Sequence, residues 1–306
     1  MTTLKERIEY AAGAGSVIED CDMRRFTSFR AGGRAELLVM PRSVRALREV
    51  LKILADSGKT CMVMGNGSNI LVRDGGYRGV ILKLGEAFGE IRAEGEILTV
   101  GCGALMSSVA RAALSAELTG FEFASGIPGS LGGAVFMNAG AYGGEMSHII
   151  KEARILAKDG SREYTLSCGE LQLGYRHSVL HETGDLVLEA VLQLKKGDKE
   201  AIGREMKELA AKRNAKQPVS LPSAGSFFKR PEGYFAGKLI QDAGLKGLSV
   251  GDAQVSPLHS GFIVNNGAAT ATEIIQLMEI VQATVLDKFG VQLEPEVRII
   301  GEDKEI

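Results

Sequence analysis

Four segments of this 306-residue chain hold residue types that could do chemistry. The first is Gly65-Asn66-Gly67-Ser68-Asn69, directly after a short apolar run at 61–64. Its glycines let successive backbone N–H groups point one way, and Ser68 and Asn69 add side-chain donors. Such a nest suits a diphosphate. Ile70 stands where GxGxxG has its third glycine, and no Gly-Lys-Ser/Thr follows, so neither a Rossmann fingerprint nor a Walker loop is present. A hairpin turn explains these five residues about as well. The second segment starts Ser125-Gly126-Ile127-Pro128-Gly129-Ser130-Leu131-Gly132-Gly133-Ala134 and runs to Gly144 without a charged residue. A solvated loop normally carries charge, so this glycine-dense backbone points to close packing on a flat, partly apolar ligand. Tight helix–sheet packing with no ligand is the alternative.

The third segment places Ser226 after Gly225 and ahead of Phe227 and Phe228. An exposed catalytic hydroxyl fits that pattern, and so does an ordinary β-turn serine. It is not a GxSxG elbow, because no glycine lies two residues beyond Ser226. In the fourth segment, 293–300, Glu294, Glu296 and Arg298 would share one face of a strand. The carboxylates could do acid–base work there, and a solvated charged ladder reads equally well. His177 and His181 are four apart but lack an HExxH signature, and no metal site is expected. There is no defensible Ser–His–Asp set either. Any chemistry must rest on a cofactor or on the carboxylates.

Helices and strands that could position these residues follow from apolar spacing. Val44, Leu47, Val50, Leu51 and Leu54 predict a helix over 42–57, stopped by Gly58. Strands are expected at 61–64, at 70–72 and 79–84 around the Asp74-Gly75-Gly76 turn, and at 97–100. An Ala-rich helix follows at 107–118. The pattern then turns to strands at 153–157, 161–164 and 186–194, followed by a charged amphipathic helix at 199–212 that ends before Pro218. Thr270 and Glu273 have capping-box spacing ahead of a helix over 273–288, and a last strand is expected over 292–300.

Length favours two or three domains. With 45% hydrophobic and 24% charged residues the composition is that of an ordinary globular protein. A net charge of -2 argues against a general nucleic-acid surface. Cys21, Cys61, Cys102 and Cys168 form no CxxC pair and read as reduced thiols in the cytoplasm. Residues 1–10 lack a signal-peptide core, no apolar run is long enough for a bilayer, and no obligate protein partner is evident. Glycine occurs 39 times, against an average share of about 7%, and clusters beside the segments above.

Taken in order, these segments resemble the UDP-N-acetylenolpyruvoylglucosamine reductases over nearly the whole chain. The runs that carry the resemblance are 27–33, 65–69, 125–144, Gly174-Tyr175-Arg176-His177-Ser178, 224–229 and 293–298. The resemblance implies an α+β fold: a two-subdomain FAD-binding module of the vanillyl-alcohol oxidase type plus a C-terminal α+β substrate domain. The implied division is 1–85 and 86–213 for the FAD-binding subdomains and 214–296 for the substrate domain, with 297–306 returning to the first. It further implies FAD and NADPH as cofactors. The reaction would reduce the enolpyruvyl group of UDP-N-acetylglucosamine enolpyruvate to UDP-N-acetylmuramate, in peptidoglycan precursor synthesis. The family's proton donor matches Ser226, and its charged catalytic partners match Arg176 and Glu296. FAD contacts fall on Gly65 to Asn69, Ser125 to Gly129, Gly133 and Ala134. Substrate contacts fall on Lys216, Tyr175 and Arg230. The short segment 181–185 lacks the tyrosine-bearing insertion of one family branch, which places the chain in the other. Arg230 stands where some members have asparagine.

Two other readings stay open at this level. One is a flavin oxidase or dehydrogenase of the same fold acting on another substrate, and the other a non-enzymatic flavin- or UDP-sugar-binding regulator.

Overall fold

The computed structural model describes residues 3–304. The first two residues of the segment read as lacking a leader core, and the last two of the returning segment 297–306, lie outside these. The chain divides into two compact units. One comprises Met1–Glu19, Leu37–Asn66 and Gly79–Lys212, the other Asp20–Glu36, Gly67–Arg78 and Arg213–Ile306. Helices and strands are mixed in both, an α+β architecture.

In the first unit, Ser43 caps the helix Val44–Ser57 by accepting from the Ala46 amide, and Gly58 ends it in the left-handed region. Leu47, Val50, Leu51 and Leu54 are its buried stripe, as their spacing predicts. The strand Cys61–Met64 runs parallel to Tyr77–Lys83, with Cys61 opposite Val80, and delivers the chain to Gly65. A five-stranded antiparallel sheet follows the order Glu163–Ser167, Ile150–Leu156, Leu186–Gln193, Ile97–Gly101, Ile91–Glu94. Its middle strand has side chains buried on both faces, which explains its near-continuous apolar sequence. The helix Met106–Ser115 buries Met106, Val109, Ala110 and Ala113 at helical spacing.

The second unit is organised round the helix Ala271–Phe289. The capping box forms: Thr270 accepts from the Glu273 amide and Glu273 from the Thr270 amide. The Asp74 carboxylate adds to it by accepting from the Ala271 and Thr272 amides at 3.0 and 2.7 Å, a negative group where helix amides are unsatisfied. Ile274, Leu277, Met278, Val281 and Val285 form its buried face. That face belongs to a core that also holds Phe29, Phe227 and Phe228. Phe29 and Phe227 meet edge to face with centroids 6.2 Å apart. A three-stranded antiparallel sheet, Ser249–Val250, Ala253–Val255 and Ile263–Asn265, completes this unit together with the parallel pair Ile70–Val72 and Arg298–Ile300.

Four expectations differ from the structure. The helix expected over 107–118 stops at Ser115, because Glu117 takes φ 56 and Leu118 joins the strand Leu118–Thr119. The charged helix extends over Lys199–Lys216 and buries only Ile202, since Ile202, Met206 and Leu209 are too few for an apolar stripe. The strands flanking Asp74-Gly75-Gly76 pair with separate partners. The last strand covers only Arg298–Ile300. Pro295, which has no N–H for a ladder, makes an isolated bridge to Phe228 instead.

Candidate active site

Ser226 and Glu296 are brought together by a short backbone ladder in the second unit. The Phe227 amide donates to the Gly261 carbonyl at 2.8 Å, and the Glu296 amide to the Phe227 carbonyl at 2.8 Å. Ser226 bridges Phe262, and Phe228 bridges Pro295. Phe227 and Phe228 are buried as anchors, while Ser226 between them and Gly225 is exposed. Alternation along an extended chain turns the Phe227 ring inward and the Ser226 hydroxyl outward, and Phe228 is buried on the other side of the run. Gly225 holds φ 81, the backbone turn that sets the entry to this run. Lys229 pairs with Glu294 twice, amide to carbonyl at 2.8 Å and Nζ to carboxylate at 3.2 Å. That accounts for Glu294 structurally; Glu296, half-buried, is tied through its amide to the residue after Ser226.

His259, which sequence reasoning passed over, supports the same ladder. Its Nδ1 accepts from the Gly261 amide at 3.1 Å, and its ring meets Phe262 edge-on at 5.1 Å. Burial lowers the imidazole pKa below its ordinary value. A Cβ on Gly237 or Gly261 would approach His259 Cε1 to 3.3 or 3.0 Å, so both glycines make room for the ring.

Arg176 lies in the first unit, at the tip of a tight hairpin. Gly174 and His177 exchange both backbone hydrogen bonds, at 3.1 and 3.2 Å. Arg176 takes φ 54, an uncommon conformation for a large side chain. Its guanidinium lies 5.2 Å over the Tyr175 ring, which is itself exposed. His177 and His181, the two histidines four apart, lie in and just after this hairpin. They stack on each other at 5.4 Å, and His181 stacks on Phe136 at 3.9 Å. No metal-binding group of His, Cys, Asp and Glu occurs among the described residues.

The first-unit residues expected to hold a flavin lie in two stretches, 65–66 and 125–134. A Cβ on Gly65 would lie 1.9 Å from Ser130 Oγ, so a side chain here would force that hydroxyl to turn away. Ser130 Oγ is buried and has no hydrogen-bond partner, a costly state that a ligand acceptor or donor would relieve. Lys83, its pKa lowered by burial, donates from Nζ to the Gly65 carbonyl at 2.9 Å. Ser125 and Ile127 are fixed by amide bonds to Glu122 and Ala124, and the Met106 amide donates to Gly129. Gly126, Pro128 and Gly133 remain exposed, whereas Ala134 is buried in the short helix Leu131–Phe136. Asn66 is exposed. The orphan Ser130 hydroxyl beside Gly65 fits a polar group of a ligand held there.

The other part of that loop lies in the second unit. Gly67 has φ 67, and a Cβ there would lie 2.1 Å from the Phe26 carbonyl oxygen. The Ser28 amide donates to the Gly67 carbonyl at 3.1 Å. Asn69 spends its amide group on the Glu296 carbonyl at 3.2 Å and accepts from the Arg298 amide through its own carbonyl at 3.0 Å. Ser68 is half-buried. Among the substrate candidates, Lys216 is the exposed last residue of Lys199–Lys216. Arg230 stacks 4.0 Å over Phe235 and donates from Nε to the Tyr234 carbonyl at 3.3 Å.

Comparison with known proteins fits this arrangement. A family model described as an FAD binding domain matches residues 35–165. The chain is therefore a flavin-binding oxidoreductase in class. A second, described as the UDP-N-acetylenolpyruvoylglucosamine reductase C-terminal domain, matches residues 217–300. A UDP-N-acetylenolpyruvoylglucosamine reductase of Alkaliphilus oremlandii is 48% identical over 94% of both chains. The protein of that name from Clostridium novyi is 50% identical over 92% of both. The crystal structure of the Thermus caldophilus UDP-N-acetylenolpyruvylglucosamine reductase superposes with a TM-score of 0.79 at 34% identity, covering 92% of this chain and 97% of that one. The chain belongs to the UDP-N-acetylenolpyruvoylglucosamine reductase family.

Proposed function

We propose that this chain reduces the enolpyruvyl group of UDP-N-acetylglucosamine enolpyruvate to a lactyl ether, giving UDP-N-acetylmuramate, with FAD and NADPH as cofactors. The observation that supports the reading most is the backbone ladder that ties Glu296 to Phe227, the residue after Ser226. FAD, when bound, supplies the hydride that adds to the terminal carbon of the vinyl ether. A proton must then reach the carbon next to the carboxylate. Ser226 donates it: a carbanionic carbon is far more basic than an alkoxide, so position matters more than a shifted pKa. Glu296 holds or protonates the same carboxylate region. Arg176 offers fixed N–H donors where negative charge develops. Lys216, Tyr175 and Arg230 contact the UDP-sugar.

Gly65, Asn66, Ser125, Gly126, Ile127, Pro128, Gly129, Gly133 and Ala134 contribute to flavin binding from the first unit. Gly67, Ser68 and Asn69 contribute as well. The division into an FAD module and a substrate domain near residue 213 is part of the same reading. It is supported by the unit boundary at Lys212 and by the C-terminal match beginning at 217. Free cysteines at all four positions support action in the cytoplasm. No described helix is long and apolar enough to cross a membrane.

The absorbance of the purified protein tests this reading. It should be yellow, bleach with NADPH under anaerobic conditions and regain colour on adding the enolpyruvyl sugar. Recovery of colour with oxygen but not with that sugar would favour an oxidase on another substrate. Tight binding of the sugar with no NADPH turnover would favour a regulator.

A further inference from the structure

We infer that Asn138 is a positioning residue that sets Arg176 for the reaction, an inference that rests on the role given to Arg176 above. Asn138 is 1% exposed and lies in the left-handed region at φ 42. Its side chain joins two separate stretches of backbone. Nδ2 donates to the Gly174 carbonyl at 3.0 Å, and Oδ1 accepts from the Ser147 amide at 2.9 Å. The Gly174 carbonyl is also the one that accepts from the His177 amide and closes the hairpin. The carboxamide therefore grips the hairpin at its base, with only Tyr175 and Arg176 beyond it.

Neighbouring contacts point the same way. Ser178, just past the hairpin, is fully buried and donates from its hydroxyl to the Phe136 carbonyl at 2.7 Å. Glu145 lies on the Ser147 side. Its carboxyl is held below the ordinary range, first by the Ser147 hydroxyl, then with smaller help from Asn138, His148 and Arg176. Asn138 thus sits between the hairpin that carries Arg176 and a carboxylate whose charge Arg176 feels. Arg176 itself stays in the left-handed region at φ 54, a strained conformation that persists only where surroundings over-determine it. A plain core asparagine would satisfy itself locally. This one ties the base of a turn that bears a charged group, at Gly174, to a separate stretch of backbone at Ser147.

Asn138→Asp removes the donor to Gly174 and the hydrogen bond to Glu145, while Asn138→Gly removes both without adding a carboxylate. Aspartate tolerates φ > 0 and keeps an acceptor for Ser147, but loses the donor to Gly174. In the FAD-loaded full-length protein, anaerobic stopped-flow should show reoxidation by the enolpyruvyl sugar slowed roughly 10–100-fold, the worth of a small misplacement. Reduction by NADPH should stay within about twofold of the parent. Calorimetry on the oxidised protein should show weaker binding of the sugar. Asn138→Gly relieves the backbone strain without restoring the carboxamide, so it should show the same split. In combination with Arg176→Lys, the Asn138→Asp effect should be strongly non-additive. Equal slowing of both half-reactions, near-normal reoxidation, or additivity with Arg176→Lys would each overturn the inference. Normal reoxidation in Arg176→Lys alone would instead remove the role given to Arg176.

Discussion

The Glu296 amide donates to the Phe227 carbonyl at 2.8 Å. This backbone bond places a carboxylate-bearing residue one step from the residue after Ser226. It does not depend on the Glu296 side chain. Glu296→Gln should therefore leave the ladder and the melting temperature nearly unchanged. Reoxidation of the flavin by the enolpyruvyl sugar should slow by about 10²-fold or more, the lower end for a placed acid–base group. Calorimetric melting and stopped-flow on one preparation measure both. A large fall in melting temperature with normal reoxidation would make Glu296 a structural residue.

Gly67 should be intolerant of any side chain. Alanine there combines φ 67 with a Cβ 2.1 Å from the Phe26 carbonyl oxygen, a backbone atom that cannot rotate away. Gly58 is the control, since it has φ 64 and nothing within 4 Å. Its alanine variant bears only the left-handed penalty of about 1–2 kcal/mol. The ratio of flavin to protein absorbance after purification should fall sharply for Gly67→Ala and stay normal for Gly58→Ala. Full flavin content in Gly67→Ala would show that this loop is not shaped by ligand binding.

Lys216 tests the substrate assignment by itself. Lys216→Met keeps the aliphatic stem at the end of Lys199–Lys216 and removes the charge. Loss of a charged hydrogen bond to the diphosphate costs about 1.5–3 kcal/mol, or roughly a 10- to 150-fold rise in KM for the UDP-sugar. FAD content should not change. An unaltered KM would detach Lys216 from substrate binding.

His259 predicts a pH dependence of stability. Burial lowers its pKa in the folded protein below the ordinary 6.5, so below that pH the unfolded chain binds the proton more readily. Stability is then fully present above about pH 6.5 and is lost as pH falls through the folded pKa. His259→Gln keeps an acceptor for the Gly261 amide. The difference in melting temperature between the two proteins should change below pH 6.5 and be flat above it. A difference that is flat from pH 5 to 8 would contradict a buried neutral imidazole.

Much of the scaffold is legible in the sequence because local rules decide it. The helix Val44–Ser57 shows its stripe and both caps, and Thr270 with Glu273 announces Ala271–Phe289. The segment 292–300 misleads because Pro295 interrupts an otherwise strand-like pattern, and the ladder to Phe228 is long-range. Ser226 and Glu296 are readable as candidates, but their proximity arises from pairing between segments about 70 residues apart, which spacing does not encode. Asn138 and Ser130 lie inside the small-residue stretch already singled out. Their signal is polarity within an apolar run, and it becomes meaningful only when burial and missing or paired hydrogen bonds are visible. His259 gives no sequence signal beyond being one of four histidines.

Ser226→Ala, followed by anaerobic stopped-flow on the flavin absorbance, tests the central claim most directly. Reduction of bound FAD by NADPH needs no proton from serine, whereas transfer to the vinyl ether does. The variant should keep FAD and be reduced by NADPH at nearly the normal rate. Its reoxidation by UDP-N-acetylglucosamine enolpyruvate should slow by about 10²–10⁴-fold, the usual worth of a general acid, with partial recovery in Ser226→Cys. Near-normal reoxidation would return Ser226 to an ordinary turn serine, and equal slowing of both halves would make it a residue that positions the flavin. Either result contradicts the account.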